Sequence, residues 1–230
     1  MEFISLASSS RGNAYIADDG ETRLLIECGI GFKKLLTLTG HEVSRIDGCI
    51  LSHEHKDHAK CAGEMILSGI PLYTSEGTAE AAGLSGAVCV YEREMFSVGT
   101  MDVIPFPVFH DAAEPFGYFI RSRVTGKRLM FATDTARVNF EFSRLNIIAL
   151  ECNYMRDVLD MALRLHDKVR HRIINSHMEA GEALKFIRTL DLSRLEKIYL
   201  MHLSDACSDE RRIRKMFEDA LDAEIVICEK

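Results

Sequence analysis

Asp47-Gly48-Cys49-Ile50-Leu51-Ser52-His53-Glu54-His55-Lys56-Asp57-His58-Ala59 sets an apolar run directly before three histidines and Asp57, all four within six positions. The chain has only nine histidines in 230 residues, so this clustering is not a compositional accident. A short apolar run bounded by polar residues reads as a strand. A strand that ends in such a cluster delivers several ligands to one point at its carboxyl end. Alternate residues of an extended segment point the same way, so His53 and His55 can share one ion. Asp57 and His58 follow where a helix is expected over 57–67, and they can face a second ion. Neutral imidazole with carboxylate suits Zn, Fe, Ni or Mn.

Polar residues close other apolar runs in the same way. Strands are expected at 3–7, 14–17, 22–27, 48–52, 71–74, 101–109, 116–123, 127–132, 147–151, 197–201 and 223–228. Helices are expected at 31–38, 57–67, 75–82, 157–168, 179–190 and 209–221. Four further strands run into His110-Asp111, Thr133-Asp134-Thr135, Glu151-Cys152-Asn153 and His202-Leu203-Ser204. Sites in α/β folds gather at the carboxyl ends of strands. His53, His55, His110, Asp57, His58 and His202, with Asp134 between, would suffice for two ions joined by one carboxylate and a water.

No linker, charge block or internal repeat divides the chain, and only four prolines occur. One mixed α/β domain over residues 1–230, built on two packed sheets, is the simplest organisation. There is no apolar run of about 18 residues, so no membrane span is expected. Met1-Glu2-Phe3-Ile4-Ser5 reads as the first strand and not as a leader. Seven cysteines without a CxxC pair fit reduced core thiols in a cytoplasmic protein. The net charge of −7 argues against a protein that coats nucleic acid, but not against a nuclease. Two divalent ions would reverse the local sign where a phosphate sits.

The pattern His53-X-His55-X-Asp57-His58, followed by His110, Asp134 and His202, resembles the ligand pattern of the metallo-β-lactamase fold. The resemblance extends over almost the whole chain, to the YycJ/WalJ-like group of that superfamily. It is carried by Leu6-Ala7-Ser8-Ser9-Ser10-Arg11-Gly12-Asn13 and by His110-Asp111-Ala112-Ala113-Glu114-Pro115-Phe116-Gly117-Tyr118. Thr133-Asp134-Thr135, Glu151-Cys152-Asn153-Tyr154 and His202-Leu203-Ser204 add to it. The resemblance implies an αββα sandwich of two mixed β-sheets flanked by helices. It also implies a dinuclear centre, zinc foremost with manganese or iron as alternatives, and hydrolysis of DNA in preference to RNA, as by a 5′-exonuclease. His53, His55 and His110 would hold one ion, Asp57, His58 and His202 the other, and Asp134 would bridge. Two departures stand out. Glu27 occupies the end of the third strand where an Asp is usual, and Tyr154-Met155-Arg156-Asp157 replaces the His-Asp that often follows Asn153.

A water shared by two ions has a pKa near neutrality and furnishes a hydroxide nucleophile. Asp57 is the carboxylate best placed to orient it and to move a proton. His177 resembles the additional histidine of tRNA 3′-processing enzymes, which helps the leaving group depart. Its usual Glu partner would fall at Phe131, so that pairing is absent from the sequence. The basic run Arg164, His166, Lys168, Arg170, His171 and Arg172 leads toward His177, and Arg170 and Arg172 are candidate phosphate contacts. Ser10 and Asn13, in the polar loop after the first strand, are candidate phosphate contacts too. Arg211, Arg212, Arg214 and Lys215 read as an exposed helix face paired with Glu210 and Glu218. The same metal core also serves hydrolases of thioesters, cyclic nucleotides and lactams. Asp134 in the bridging position disfavours a β-lactamase, and the chain is too short for the inserted domain of the fold's RNA exonucleases.

Overall fold

Every apolar run named above becomes a strand in the computed structural model of the chain, which describes residues 1–162 and 165–229. The chain divides into two compact units, one of residues 1–107, 112–127 and Glu229, the other of 108–111 and 128–228.

The first unit contains β1 (Glu2–Ser9), β2 (Gly12–Asp18), β3 (Arg23–Ile26), β4 (Gly48–Ile50), β5 (Leu72–Thr74) and β6 (Val88–Cys89), hydrogen-bonded in that order. β1, β2 and β3 are antiparallel, and β3 to β6 run parallel, so the sheet is mixed. The helices α1 (Phe32–Leu38), α2 (Lys56–Ala59), α3 (Ala62–Leu67) and α4 (Glu76–Ala82) connect the parallel strands. Buried Leu25, Cys49, Leu51, Met65 and Leu72 form its core with Leu35 of α1. β3 and β4 are almost wholly apolar because strands inside a parallel sheet are covered on both faces. An antiparallel meander of β7 (Phe96–Val98), β8 (Met101–Pro107) and β9 (Phe116–Ser122) belongs to the same unit. The two-residue β6 and three-residue β7 were not legible as strands, since neither is long enough to show alternation.

The second unit is built on four parallel strands, β10 (Arg128–Ala132), β11 (Ile147–Glu151), β12 (Lys197–Met201) and β13 (Glu224–Ile227). Its helices are α5 (Arg156–Met161), α6 (Asp167–Ser176), α7 (Ala180–Arg188) and α8 (Glu210–Glu218). Leu129, Phe131, Ile148, Leu150, Ile198 and Leu200 are buried, as are Ile213 and Phe217 on the apolar face of α8. On its other face Arg214 meets Glu218 as expected, whereas Arg212 reaches Asp157 of α5. Among the described residues no helix is long and apolar enough to cross a membrane.

Two helix expectations need correction. The helix read over 57–67 is interrupted between α2 and α3, because tertiary hydrogen bonds compete with the helical ladder. The Cys28 amide donates to the His58 carbonyl at 2.8 Å, and the Cys61 amide donates to the Cys28 carbonyl at 2.9 Å. The helix read over 157–168 ends at Met161 as α5, and α6 begins at Asp167; Leu163 and Arg164 lie outside the described residues.

The loop after β4 lies so close to residues 28–29 that a side chain at position 29 has no room. A Cβ on Gly29 would fall 1.7 Å from the Asp57 carbonyl oxygen. By contrast, a Cβ on Gly63 meets nothing within 4 Å. Gly29→Ala is therefore expected to cost about 2–3 kcal/mol, through displacement of backbone in a packed site. Gly63→Ala is expected to gain about 0.5–1 kcal/mol by restricting the unfolded chain. Urea melts of both variants against the parent chain check the contrast; a neutral Gly29→Ala would contradict the packing described.

Candidate metal centre

Within the first unit the loop after β4 carries His53, His55, Asp57 and His58 as a group. The His53 Nε2 and His55 Nδ1 atoms are 3.1 Å apart, and the His53 and His58 rings have centroids 4.2 Å apart. The His58 Nε2 lies 3.6 Å from Asp57 Oδ2. Ligand atoms about 2.0–2.1 Å from a tetrahedral zinc are spaced about 3.3 Å from one another, and these distances bracket that edge. The far nitrogens are held by hydrogen bonds: His53 Nδ1 is 2.8 Å from Ser52 Oγ, and His58 Nδ1 is 3.1 Å from Glu27 Oε2. A carboxylate behind an imidazole fixes its ring and raises the basicity of the other nitrogen.

Glu27 is fully buried, and its second oxygen accepts the Ser52 amide at 3.1 Å. Glu27 sits at φ 65°, in the left-handed region. Asn13 is fully buried as well. Its amide nitrogen lies within 3.2 Å of the Ser9 and Asp57 carbonyl oxygens and of His58 Nε2. An NH2 group has two hydrogens for these three acceptors. Asn13 thus buttresses the ligand loop from beneath, whereas Ser10 is exposed at the β1–β2 turn.

Within the second unit His110, Asp134, Glu151, His177 and His202 come together from distant positions. Asp134 offers Oδ2 to His110 Nε2 at 3.6 Å and Oδ1 to His202 Nδ1 at 2.7 Å, one oxygen toward each imidazole. The His110 Nδ1 donates to the Ser176 carbonyl at 2.8 Å. That bond fixes the tautomer, so Nε2 carries the lone pair that faces Asp134. Burial, only partly opposed by the Asp134 charge, lowers the His110 pKa and keeps the ring neutral. An imidazole lone pair facing a carboxylate oxygen is the arrangement that a cation joins. The donor set therefore fits a divalent ion on both its chemistry and its spacing.

Glu151 is the functional residue that sequence reasoning did not assign. Its fully buried carboxylate accepts from His177 Nδ1 at 2.6 Å and lies 3.2 Å from His202 Nδ1. Its other oxygen accepts the Thr135 and Met178 amides at 2.8 and 3.1 Å. The ligand atoms of Asp134, Glu151, His177 and His202 all lie within 4.8 Å of one another. In the sequence Phe131 occupies the place of the usual acidic partner of His177; the partner instead comes from the end of the neighbouring parallel strand, β11. A buried Glu at a strand end, inside Glu151-Cys152-Asn153, was the available signal.

Burial alone would strip the proton from His177, but the Glu151 charge and hydrogen bond outweigh it and raise the pKa. For His202 the same contest, with Asp134 and Glu151 both opposing burial, brings the pKa to about 10. Glu151 is lowered in turn, the two histidines overcoming its own desolvation. Asp134 and His202 adopt φ 39° and 55°; with Glu27 they make three of the six non-glycine residues at positive φ among those described. Strain of this kind, about 1–3 kcal/mol each, persists where surrounding structure enforces it.

The basic residues separate into different roles. Arg170 donates to the Leu159 and Ala162 carbonyl oxygens, both at 2.6 Å, and to Leu165 at 3.4 Å, so it ties the backbone before α6 and is not free for phosphate. Arg172 is exposed, pairs with Asp111 at 2.8 Å, and lines a cavity of about 430 Å³ with Phe109, His110 and Asn175. Arg164 is outside the described residues. The His177 ring borders a second cavity of about 320 Å³, shared with Tyr154, Arg156 and Glu182. The segment that departs from the family pattern thus flanks His177.

Residues 22–203 match the family model described as β-lactamase superfamily domain. The exodeoxyribonuclease WalJ of Streptococcus pneumoniae is 31% identical over 225 residues, covering 89% of this chain and 82% of the relative. The exodeoxyribonuclease YycJ of Bacillus anthracis is 28% identical over 221 residues, covering 89% and 83%. The crystal structure of the metallo-β-lactamase fold protein YhfI from Bacillus subtilis superposes with a TM-score of 0.76 at 16% identity, over 99% of this chain and 96% of that one. The fold class read from the sequence, α/β with two mixed sheets and flanking helices, is the one these matches share.

Chelator-treated protein should respond to pH through these groups. The raised pKa values of His177 and His202 give stabilisation that is complete below their ordinary value of 6.5 and is lost as pH rises through the raised values, about 10 for His202. The lowered Glu151 works oppositely, its contribution being complete above 4.5 and lost below it. Thermal melts should peak between roughly pH 4.5 and 6.5 for this set and decline toward pH 10. His202→Asn should flatten the alkaline decline; an unchanged decline would place its origin elsewhere.

Proposed function

Because the chain belongs to the β-lactamase superfamily, we propose that it is a cytoplasmic, metal-dependent nuclease that degrades DNA from an end. The observation that carries this reading is the Glu151–His177 pair, a proton donor anchored at 2.6 Å to a buried carboxylate beside Asp134 and His202. Such a group serves a nuclease, because the oxygen leaving a phosphodiester departs as an alkoxide unless it is protonated or held by a cation. With Nδ1 committed to Glu151, His177 has Nε2–H to give to that oxygen as the P–O bond breaks, and the Glu151 charge keeps the imidazolium available near neutral pH.

His53, His55, Asp57, His58, His110, Asp134 and His202 are the residues that would hold two divalent ions, zinc foremost with manganese or iron as alternatives. Such ions would supply an acidified water and positive charge opposite the phosphate oxygens. Asp57, half-exposed beside His58, orients the attacking water and accepts its proton. Arg172 and the Ser10 turn contact the DNA backbone, while Asn13 and Arg170 hold the scaffold. Seven free cysteines, all but Cys89 buried, accord with a reducing compartment.

Purified protein is expected to carry close to two transition-metal ions per chain by elemental analysis, and His55→Ala or Asp134→Ala should lose metal and activity together. End-labelled duplex DNA should be shortened in a metal-dependent reaction that weakens steeply with salt. His177→Ala should lower turnover by about 10²–10⁴ with metal content unchanged. In Glu151→Gln, provided metal content is retained, the alkaline fall in activity should move to lower pH. Parent-like turnover by His177→Ala would remove it from the chemistry.

A further inference from the structure

Arg11 and Lys34 line a small polar cavity in the first unit, of about 260 Å³, together with Ala7, Ser9, Gly12 and Ile30. Among the described residues no carboxylate borders it, and neither Arg11 nor Lys34 has an ion-pair partner. In a chain of net charge −7, two uncompensated cations beside one cavity mark a place built for an anion. The cavity lies just below the range of drug-sized ligand sites and has room for a phosphate. The Ser9 hydroxyl, on a residue only 5% exposed, accepts the Arg11 amide at 3.2 Å and fixes the turn that presents the guanidinium.

The backbone places this cavity against the ligand loop. A Cβ on Gly12 would meet the Gly29 carbonyl oxygen at 2.6 Å and Ile30 Cγ2 at 2.7 Å, so the cavity wall is pressed onto residues 29–30. Gly29 in turn abuts the Asp57 carbonyl. Residues 29–30 therefore touch both the cavity wall and the segment bearing Asp57 and His58. A group seated there lies beside the reacting centre and outside it.

We propose that Arg11 and Lys34 bind a terminal phosphate monoester of the DNA substrate, so that this cavity selects chain ends over internal phosphates. The choice of ligand rests on the nuclease reading. A terminal monoester carries close to two negative charges near pH 7, an internal diester only one, and a paired guanidinium and ammonium distinguish the two. The site makes no distinction of its own between a 5′- and a 3′-phosphate, which share this chemistry.

The test uses the metal-loaded chain and three duplexes with an internal fluorophore and phosphorothioate linkages at both ends to slow cleavage. One duplex carries a 5′-phosphate, one a 3′-phosphate, and one has hydroxyls at both ends. By fluorescence anisotropy one phosphorylated duplex should bind about 10–100-fold more tightly than the hydroxyl duplex. The end that does so names the recognised terminus. Arg11→Gln and Lys34→Gln should each lose most of that preference, and the double variant all of it, with unchanged melting temperatures. Equal binding of all three duplexes by the parent, or preference retained in the double variant, would overturn the proposal. A preference without degradation of the unmodified duplex under any metal would sink the nuclease reading alone. Degradation with no end preference would sink the phosphate site alone.

Discussion

A carboxylate buried at the end of a parallel strand is the constraint on which each cluster depends. Glu27 and Glu151 are both inaccessible, and Asp134 nearly so. An ionised carboxylate taken out of water without partners costs many kcal/mol, so the surrounding chain must supply hydrogen bonds and positive charge. Glu27 receives the Ser52 amide and the His58 ring; Glu151 receives two amides and the rings of His177 and His202. Each carboxylate thereby decides which nitrogen of a histidine is occupied and which is left to act. The ligand geometry is a consequence of where acids were buried.

Unusual backbone conformation accompanies this burial at two of the three acids. Glu27, Asp134 and His202 lie in the left-handed region, which a non-glycine residue holds only where the surrounding structure enforces it. The glycines at 12 and 29 do complementary work by letting one segment pass against another where any side chain would collide. Strain and close approach also occur elsewhere, as at His41, Arg93 and Gly99, but at the candidate site they fall on the ligands and on the segment that carries them.

Much of this could be read directly from the chain. The run from Cys49 to His58 identified a strand that delivers ligands, and the polar residues closing the other strands singled out His110, Asp134 and His202. All eleven apolar runs became strands; seven of them, β3 to β5 and β10 to β13, pair in parallel, where strands covered on both faces demand such runs. The failures have a common cause. The helix over 57–67 broke, Arg170 turned to the carbonyls of Leu159 and Ala162, and His177 found its acid on β11, all through contacts outside the periodicity of a single element.

The residue types and their placement at strand ends are properties of the sequence alone, and they determined the fold class and the kind of chemistry. Local spacing suffices there, since neighbouring positions on a strand have fixed relative directions. Tertiary structure alone decided which acid holds which histidine, which arginine is spent on the scaffold, and that Arg11 and Lys34 line one cavity. Those outcomes depend on distances between segments that no periodicity encodes, and a hydrogen bond exists or fails within a few tenths of an ångström.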